Sequence, residues 1–167
     1  MSTHAPTAGS VEALLLQHQI DQLNVACAAA LDEQRFEAWP EFFLPDASYK
    51  VQARENFDRG LPLALIDLES QGMMKDRVYG VTQTIFHAPY YMRHIISPAQ
   101  VLAVNNGIIH AQAHYAVFRT KPGGVSEVYN VGRYIDRIVR TEAGLRFQSR
   151  QCIYDSEMVL NSLIYPI

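Results

Sequence analysis

The run LAVNNGIIHAQAHYAVFRT, residues 102–120, decides the fold. Asn106-Gly107 stands between two β-rich stretches, and these two residue types tolerate the positive φ angles of a two-residue hairpin turn. Beyond the turn, Ile109, Ala111, Ala113, Tyr115 and Val117 alternate with more polar neighbours. That is the period of a strand with one buried face. The same pattern continues outward. Lys121-Pro122-Gly123-Gly124 and Thr141-Glu142-Ala143-Gly144 carry the residue types of two further turns. Strands are therefore predicted near 90–105, 108–121, 125–140 and 145–157. Gly132, inside the third, predicts a bulge or bend. Long strands that twist and bend tend to curl.

Upstream, the periodicity turns helical. Ser10 is a good N-cap, and Leu16, Ile20, Leu23, Cys27, Ala30 and Leu31 recur on one stripe. This predicts an amphipathic helix over 11–31. Phe36, Trp39, Phe42 and Phe43 follow as a dense aromatic group broken by Pro40, whose ring clashes with a preceding helical turn. A short helix, a tight turn and a core plug are expected there. Residues 48–54 alternate as a half-exposed strand, and 61–68 are apolar on both faces except for Asp67. A second helix is expected near 70–86, with Met74, Val78, Val81 and Ile85 as its stripe. Gly80 inside it costs about 1 kcal/mol relative to Ala, which predicts close approach of another backbone. Helices first and a curled sheet after make an α+β domain. The expected form is a cone-shaped sheet, antiparallel or mixed, wrapping the long N-terminal helix. Residues 10–167 form that domain, behind a disordered lead at 1–9.

Composition removes several functions. The 14 Lys plus Arg against 17 Asp plus Glu give a net charge of −3. There is no basic run to bind nucleic acid or an acidic membrane surface. No segment approaches the ~20 apolar residues of a spanning helix. The N-terminus lacks the basic and apolar regions of a secretory signal. Cys27 and Cys152, alone in separate elements, read as small buried hydrophobes of a reducing compartment, which points to the cytoplasm.

Catalytic motifs fare no better. His110 and His114 have a spacing that suits zinc on a helix, but on a strand they stand about 13 Å apart. A Rieske cluster needs two Cys and two His in close pairs, and neither cysteine has a histidine within a few residues. There is no phosphate loop and no GxSxG elbow. Asp67 is the lone charge in LALIDL, residues 63–68. Buried, it would be a candidate general base, with His94, Tyr115 and Asp155 to complete the site. The competing reading is a carboxylate tied to a neighbour at a strand end. Asp76-Arg77 and Arg93-His94 read as ion-pair and hydrogen-bond elements suited to subunit contacts. The ending, residues 161–167, is apolar to its last residue, which predicts docking on its own fold or on a partner.

Three stretches carry a resemblance: FEAWPEFFLPDASYKVQARENFDRGLPL, ESQGMMKDRVYGVTQTIFHAPYYMRHIIS and QCIYDSEMVLNSLIYPI. Together they resemble the small (β) subunit of bacterial Rieske aromatic-ring-hydroxylating oxygenases over roughly residues 11–167. Within that family the likeness is nearest to the salicylate 5-hydroxylase small subunit, then to the benzoate, anthranilate and terephthalate dioxygenases. The resemblance implies the cone fold of nuclear transport factor and SnoaL-like proteins. It implies a partner, the large (α) subunit, in an assembly of three large and three small subunits in which the small subunits self-associate as a trimer. The Rieske [2Fe-2S] cluster and mononuclear Fe(II) would then lie in the large subunit, fed from NAD(P)H by separate electron-transfer components. No cofactor, metal or catalytic residue is implied for this chain. The expected subunit-interface residues are Asp76, Arg77, Tyr90, Tyr91, Arg93, His94, Tyr165, Pro166 and Ile167. The alternative is a self-sufficient isomerase or dehydratase on the same fold, using Asp67 with His and Tyr partners.

Overall fold

The computed structural model describes residues 9–156, 158 and 163–167. The disordered lead expected at 1–9 falls almost wholly outside them, as do Asn161 and Ser162 of the ending.

Helix α1 runs Val11–Asp32, and the Ser10 side chain accepts the Ala13 N–H at 3.1 Å to cap it. Its 22 residues span about 33 Å. Leu16, Ile20, Leu23, Cys27, Ala30 and Leu31 are buried, as their spacing predicts. A short 3₁₀ helix, Phe36–Phe42, contains Pro40 and leads into β1, Phe43–Ala53. The strand thus starts five residues earlier than its alternation indicated. Helix α2, Arg54–Asp58, and the short strand β2, Ile66–Leu68, follow. Most of the apolar 61–68 run is not sheet: Leu61, Leu63 and Leu65 are exposed.

Helix α3, Gln71–Tyr79, is capped by Ser70 and continues as one π turn, Gly80–Thr84. The predicted stripe holds for Met74, Val78 and Val81, which are buried. Gly80 has no close backbone neighbour, since a Cβ there would meet only side-chain atoms of Thr84 and Ile85 at 3.9–4.0 Å. It marks the change of helical pitch instead.

The remaining strands are β3 (Tyr91–Ile96), β4 (Gln100–Asn105), β5 (Ile108–Thr120), β6 (Ser126–Thr141) and β7 (Gly144–Tyr154). The single strand expected over 90–105 is two strands. Pro98 has no N–H to donate, and Ser97 bridges the gap: its N–H donates to His114 O, and its Oγ accepts the His114 N–H, both at 2.9 Å. Both halves pair antiparallel with β5, one after the other along its edge.

The sheet order is β2-β1-β7-β6-β5-β3, with β4 also on β5. All pairs are antiparallel except β1 with β7, so the sheet is mixed. Register shifts interrupt β5–β6 at Val117/Phe118 and β6–β7 at Arg137/Ile138. Such bulges raise local twist and bend the strands. Gly132 is not itself a bulge. Its partner strand passes so close that a Cβ would stand 2.0 Å from Ile153 O.

The concave face closes over α1, the 3₁₀ helix and α3. Trp39, Tyr49, Tyr134, Phe147 and Ile138 are fully buried there. Within this core, Arg150 donates to both oxygens of Asp136, at 2.9 and 2.7 Å, and to the Asn24 amide oxygen on α1. Its guanidinium lies 4.0 Å from the Phe147 ring centroid and 4.1 Å from that of Tyr134. The planar cation is thus paired at its edge and covered on its faces, which offsets the cost of burying charge.

Candidate functional site

The segment from Asp76 to His94 and the ending at 163–167 meet in one place. Arg77, in the last turn of α3, donates to Leu163 O at 2.8 Å and to Ile164 O at 2.7 Å. One guanidinium edge therefore holds two consecutive carbonyls. The Tyr49 hydroxyl on β1 donates to Ile167 O at 2.8 Å and accepts the Ile167 N–H at 2.9 Å. Cys152 on β7 adds a weak contact, Sγ to Ile167 O at 3.5 Å.

Between these two clamps the Tyr165 ring stacks on Tyr90 at 4.4 Å and tilts against Phe36 at 4.7 Å. His87 Nδ1 lies 3.3 Å from Ile85 O, which can only accept, so Nδ1 carries the proton. The other ring nitrogen, Nε2, pairs with the Tyr165 hydroxyl at 2.7 Å. Tyr165, Pro166 and Ile167 are all buried. Of the two docking modes that the apolar ending predicted, the chain's own fold is the one found. Burial pushes the Tyr49 and Tyr90 phenols up from their ordinary range, so both remain neutral donors.

A second anchor lies at the far end of the segment. Asp32, the last residue of α1, accepts the His94 N–H at 2.9 Å and pairs with His94 Nδ1 at 2.6 Å. His94 Nε2 is enclosed with no partner among the described residues. Gln34, two residues past the helix at φ 57°, donates to Tyr90 O at 3.2 Å. Together these tie the end of α1 to the start of β3.

The nine expected interface residues therefore divide. Tyr90, His94, Tyr165, Pro166 and Ile167 are buried within the chain, and Arg77 is committed to the tail. Asp76, Tyr91 and Arg93 are exposed, and Ile95 and Phe86 stand beside them, both exposed.

The alternative acid/base site does not assemble. Asp67 is exposed and pairs with Lys50 at 2.8 Å, so the reading of a carboxylate tied at a strand end is the one found. Its strand β2 and the β3 strand of His94 end the sheet order on opposite sides. Tyr115 donates to Asn130 at 2.8 Å, and Asp155 sits 3.4 Å from Arg54. Burial pushes the Cys27 thiol up to about 11 and the Cys152 thiol up to about 12, the opposite of a reactive thiolate. No cluster of three or more His, Cys, Asp or Glu exists among the described residues. His110 and His114 lie along β5, as predicted. Among the described residues no donor set for a Rieske cluster or a mononuclear iron comes together.

Sequence reasoning missed Asp32, Gln34, Tyr49 and the Arg150–Asp136–Asn24 group. Asp32 had a signal: a carboxylate in the last turn opposes the helix dipole, so a partner should lie nearby. Arg150 and Asp136 face each other across the predicted β6–β7 hairpin, whereas Gln34, Tyr49 and Asn24 meet partners far away in the chain.

The comparisons with known proteins agree with this geometry. Residues 12–151 match the SnoaL-like domain family, which is the class that the curved sheet and its helix define. The small subunit of anthranilate 1,2-dioxygenase from Burkholderia cepacia is 36% identical over 82% of this chain and 85% of its own length. A β subunit of the terephthalate 1,2-dioxygenase terminal oxygenase from a Comamonas species is 28% identical over 89% and 97%. Among solved structures, the β subunit of a protein assigned as an aromatic-ring-hydroxylating dioxygenase from Novosphingobium aromaticivorans superposes with a TM-score of 0.85 at 38% identity, covering 93% of this chain and 99% of that one. Naphthalene 1,2-dioxygenase shares the fold at a TM-score of 0.74 and 18% identity, covering 91% of this chain and 86% of that one. The chain belongs to the family of small subunits of aromatic-ring-hydroxylating dioxygenases.

Proposed function

We propose that the chain is a non-catalytic structural subunit of a multicomponent Rieske non-haem iron oxygenase acting on aromatic acids of the salicylate or benzoate kind. It joins three large subunits in a three-plus-three assembly and self-associates as a trimer within it, in the cytoplasm. The large subunit carries the [2Fe-2S] cluster and the Fe(II), and NAD(P)H electrons arrive through separate components. The observation that supports this reading is the filled interior of the cone. Tyr165 and Ile167 of the chain itself fill this interior, held by His87 and Tyr49, while Arg77 holds the carbonyls of Leu163 and Ile164 before them. The residues that would make an acid/base site are each tied to a structural neighbour.

The test is to purify the full chain alone and with its large subunit, then measure iron content and aromatic hydroxylation. The chain alone is expected to hold no stoichiometric iron and to turn over nothing, while the pair hydroxylates. Turnover by the isolated chain would overturn the reading. Asp67→Asn is expected to leave the activity of the pair unchanged; its loss would favour the isomerase or dehydratase alternative.

A further inference from the structure

We infer that the cleft between α1 and the β6–β7 hairpin is a binding site for a small carboxylate carried on a compact apolar body. The cleft has a volume of about 460 Å³, within the range of ligand pockets. Its floor is apolar: Leu23 and Leu145 are buried, and Phe42 is half-buried. Its rim carries the two cations Arg140 and Arg146, with His18 beside them and no Asp or Glu among the lining residues. Glu142 sits in the adjoining turn but does not line the cleft.

Most arginines of this chain pair with a carboxylate. Arg35, Arg54, Arg59, Arg119 and Arg150 each hold a carboxylate. Arg140 and Arg146 hold none among the described residues, although the chain has three more acidic than basic side chains. Both are positioned by neutral oxygens instead. Arg140 donates to Gln19 Oε1 at 2.9 Å, and Arg146 donates to Leu145 O at 2.9 Å. These contacts orient the guanidinium planes and leave their charge unmatched. A guanidinium fork matches a carboxylate with two parallel hydrogen bonds. An inorganic anion would leave the Leu23, Phe42 and Leu145 floor unused, whereas an aryl or branched alkyl body would cover it. This inference does not depend on the assembly role proposed above.

The experiment titrates the ¹⁵N-labelled full chain with benzoate, with benzyl alcohol as the neutral probe and acetate as the bodiless one. Benzoate is expected to shift the amides of Leu23, Ala26, Phe42 and Leu145 saturably. Benzyl alcohol and acetate should each bind about tenfold more weakly or worse. Arg140→Gln and Arg146→Gln should each weaken benzoate roughly fivefold or more. Arg140→Gln decides the matter if loss of the Arg146 contacts disturbs the hairpin. Equal affinity for benzoate and benzyl alcohol, shifts confined to other regions, or an Arg140→Gln variant that binds benzoate unchanged would each overturn the inference. So would absence of benzoate binding combined with weaker large-subunit association of Arg140→Gln, which would assign the cleft to an acidic segment of that partner.

Discussion

The interior of the cone and the outer edge from Tyr79 to Ile95 treat their side chains in opposite ways. Inside, the buried polar groups are mostly spent on one another: Arg150 on Asp136 and Asn24, Tyr115 on Asn130, Tyr49 on the Ile167 backbone. Among the described residues the Trp39 indole N–H and the Asn24 amide N have no such partner. Outside, Tyr79 is 63% exposed, Tyr91 62% and Ile95 59%, and Phe86 is fully exposed. The two regions are joined, because His87 and Tyr90 grip Tyr165 from the same segment that presents Phe86 and Tyr91. Polar chemistry holds the chain closed, and apolar area is left facing out. A subunit whose work is contact needs that division, since exposed apolar area is where partners bind.

The comparison can be broken from the inside first. Asp136→Ala leaves Arg150 charged and enclosed without its carboxylate, and is expected to cost about 3–5 kcal/mol in urea unfolding. Tyr165→Ala empties the space between Phe36 and Tyr90 and should cost about 3 kcal/mol; a loss below about 1 kcal/mol would mean that the tail is not docked as described. Arg77→Gln removes the clamp on Leu163 and Ile164. A cost of about 1–2 kcal/mol is expected, with faster proteolysis of the tail than of the rest of the chain.

Alkaline pH acts on the same interior. The folded-state values of Cys27 and Cys152, about 11 and about 12, lie above their unfolded value of 9.0. A raised value contributes stability that is complete below the unfolded value and is lost as pH climbs through the folded one. Stability should therefore fall from about pH 9 upward. The fall should be shallower in a Cys27→Ala, Cys152→Ala double variant, compared by denaturant midpoint at pH 8 and pH 10. On the outer edge, Tyr91→Ser with Ile95→Ser should change stability least, by about 0.5 kcal/mol or less per site, while weakening association with the large subunit.

What the sequence made legible was local. The Asn106-Gly107 turn, the Ser10 cap and the α1 stripe depend on residues a few positions apart, and each appears where its chemistry predicts. The split at Ser97-Pro98 was hidden because the alternation resumes beyond it with the same edge partner. Asp67 looked enclosed because its neighbours are apolar, yet it lies on an edge strand, and Leu61, Leu63 and Leu65 before it lie in a loop that leaves them exposed. The tail clamp was only half visible. An apolar ending announces docking, but its holder, Tyr49, is 118 residues away, and no local pattern records such a pairing. The Arg150–Asn24 contact spans 126 residues and was equally silent.

The central claim is that this chain contributes surface, not chemistry, to a larger oxygenase. Native mass spectrometry of the chain co-expressed with its large subunit, with hydroxylation measured on the same sample, tests it most directly. The account predicts a three-plus-three particle for the natural chain. For the Tyr91→Ser, Ile95→Ser variant it predicts loss of that particle together with activity, at an unchanged melting temperature. An intact particle with full activity from that variant, or hydroxylation by the small subunit alone, would contradict it.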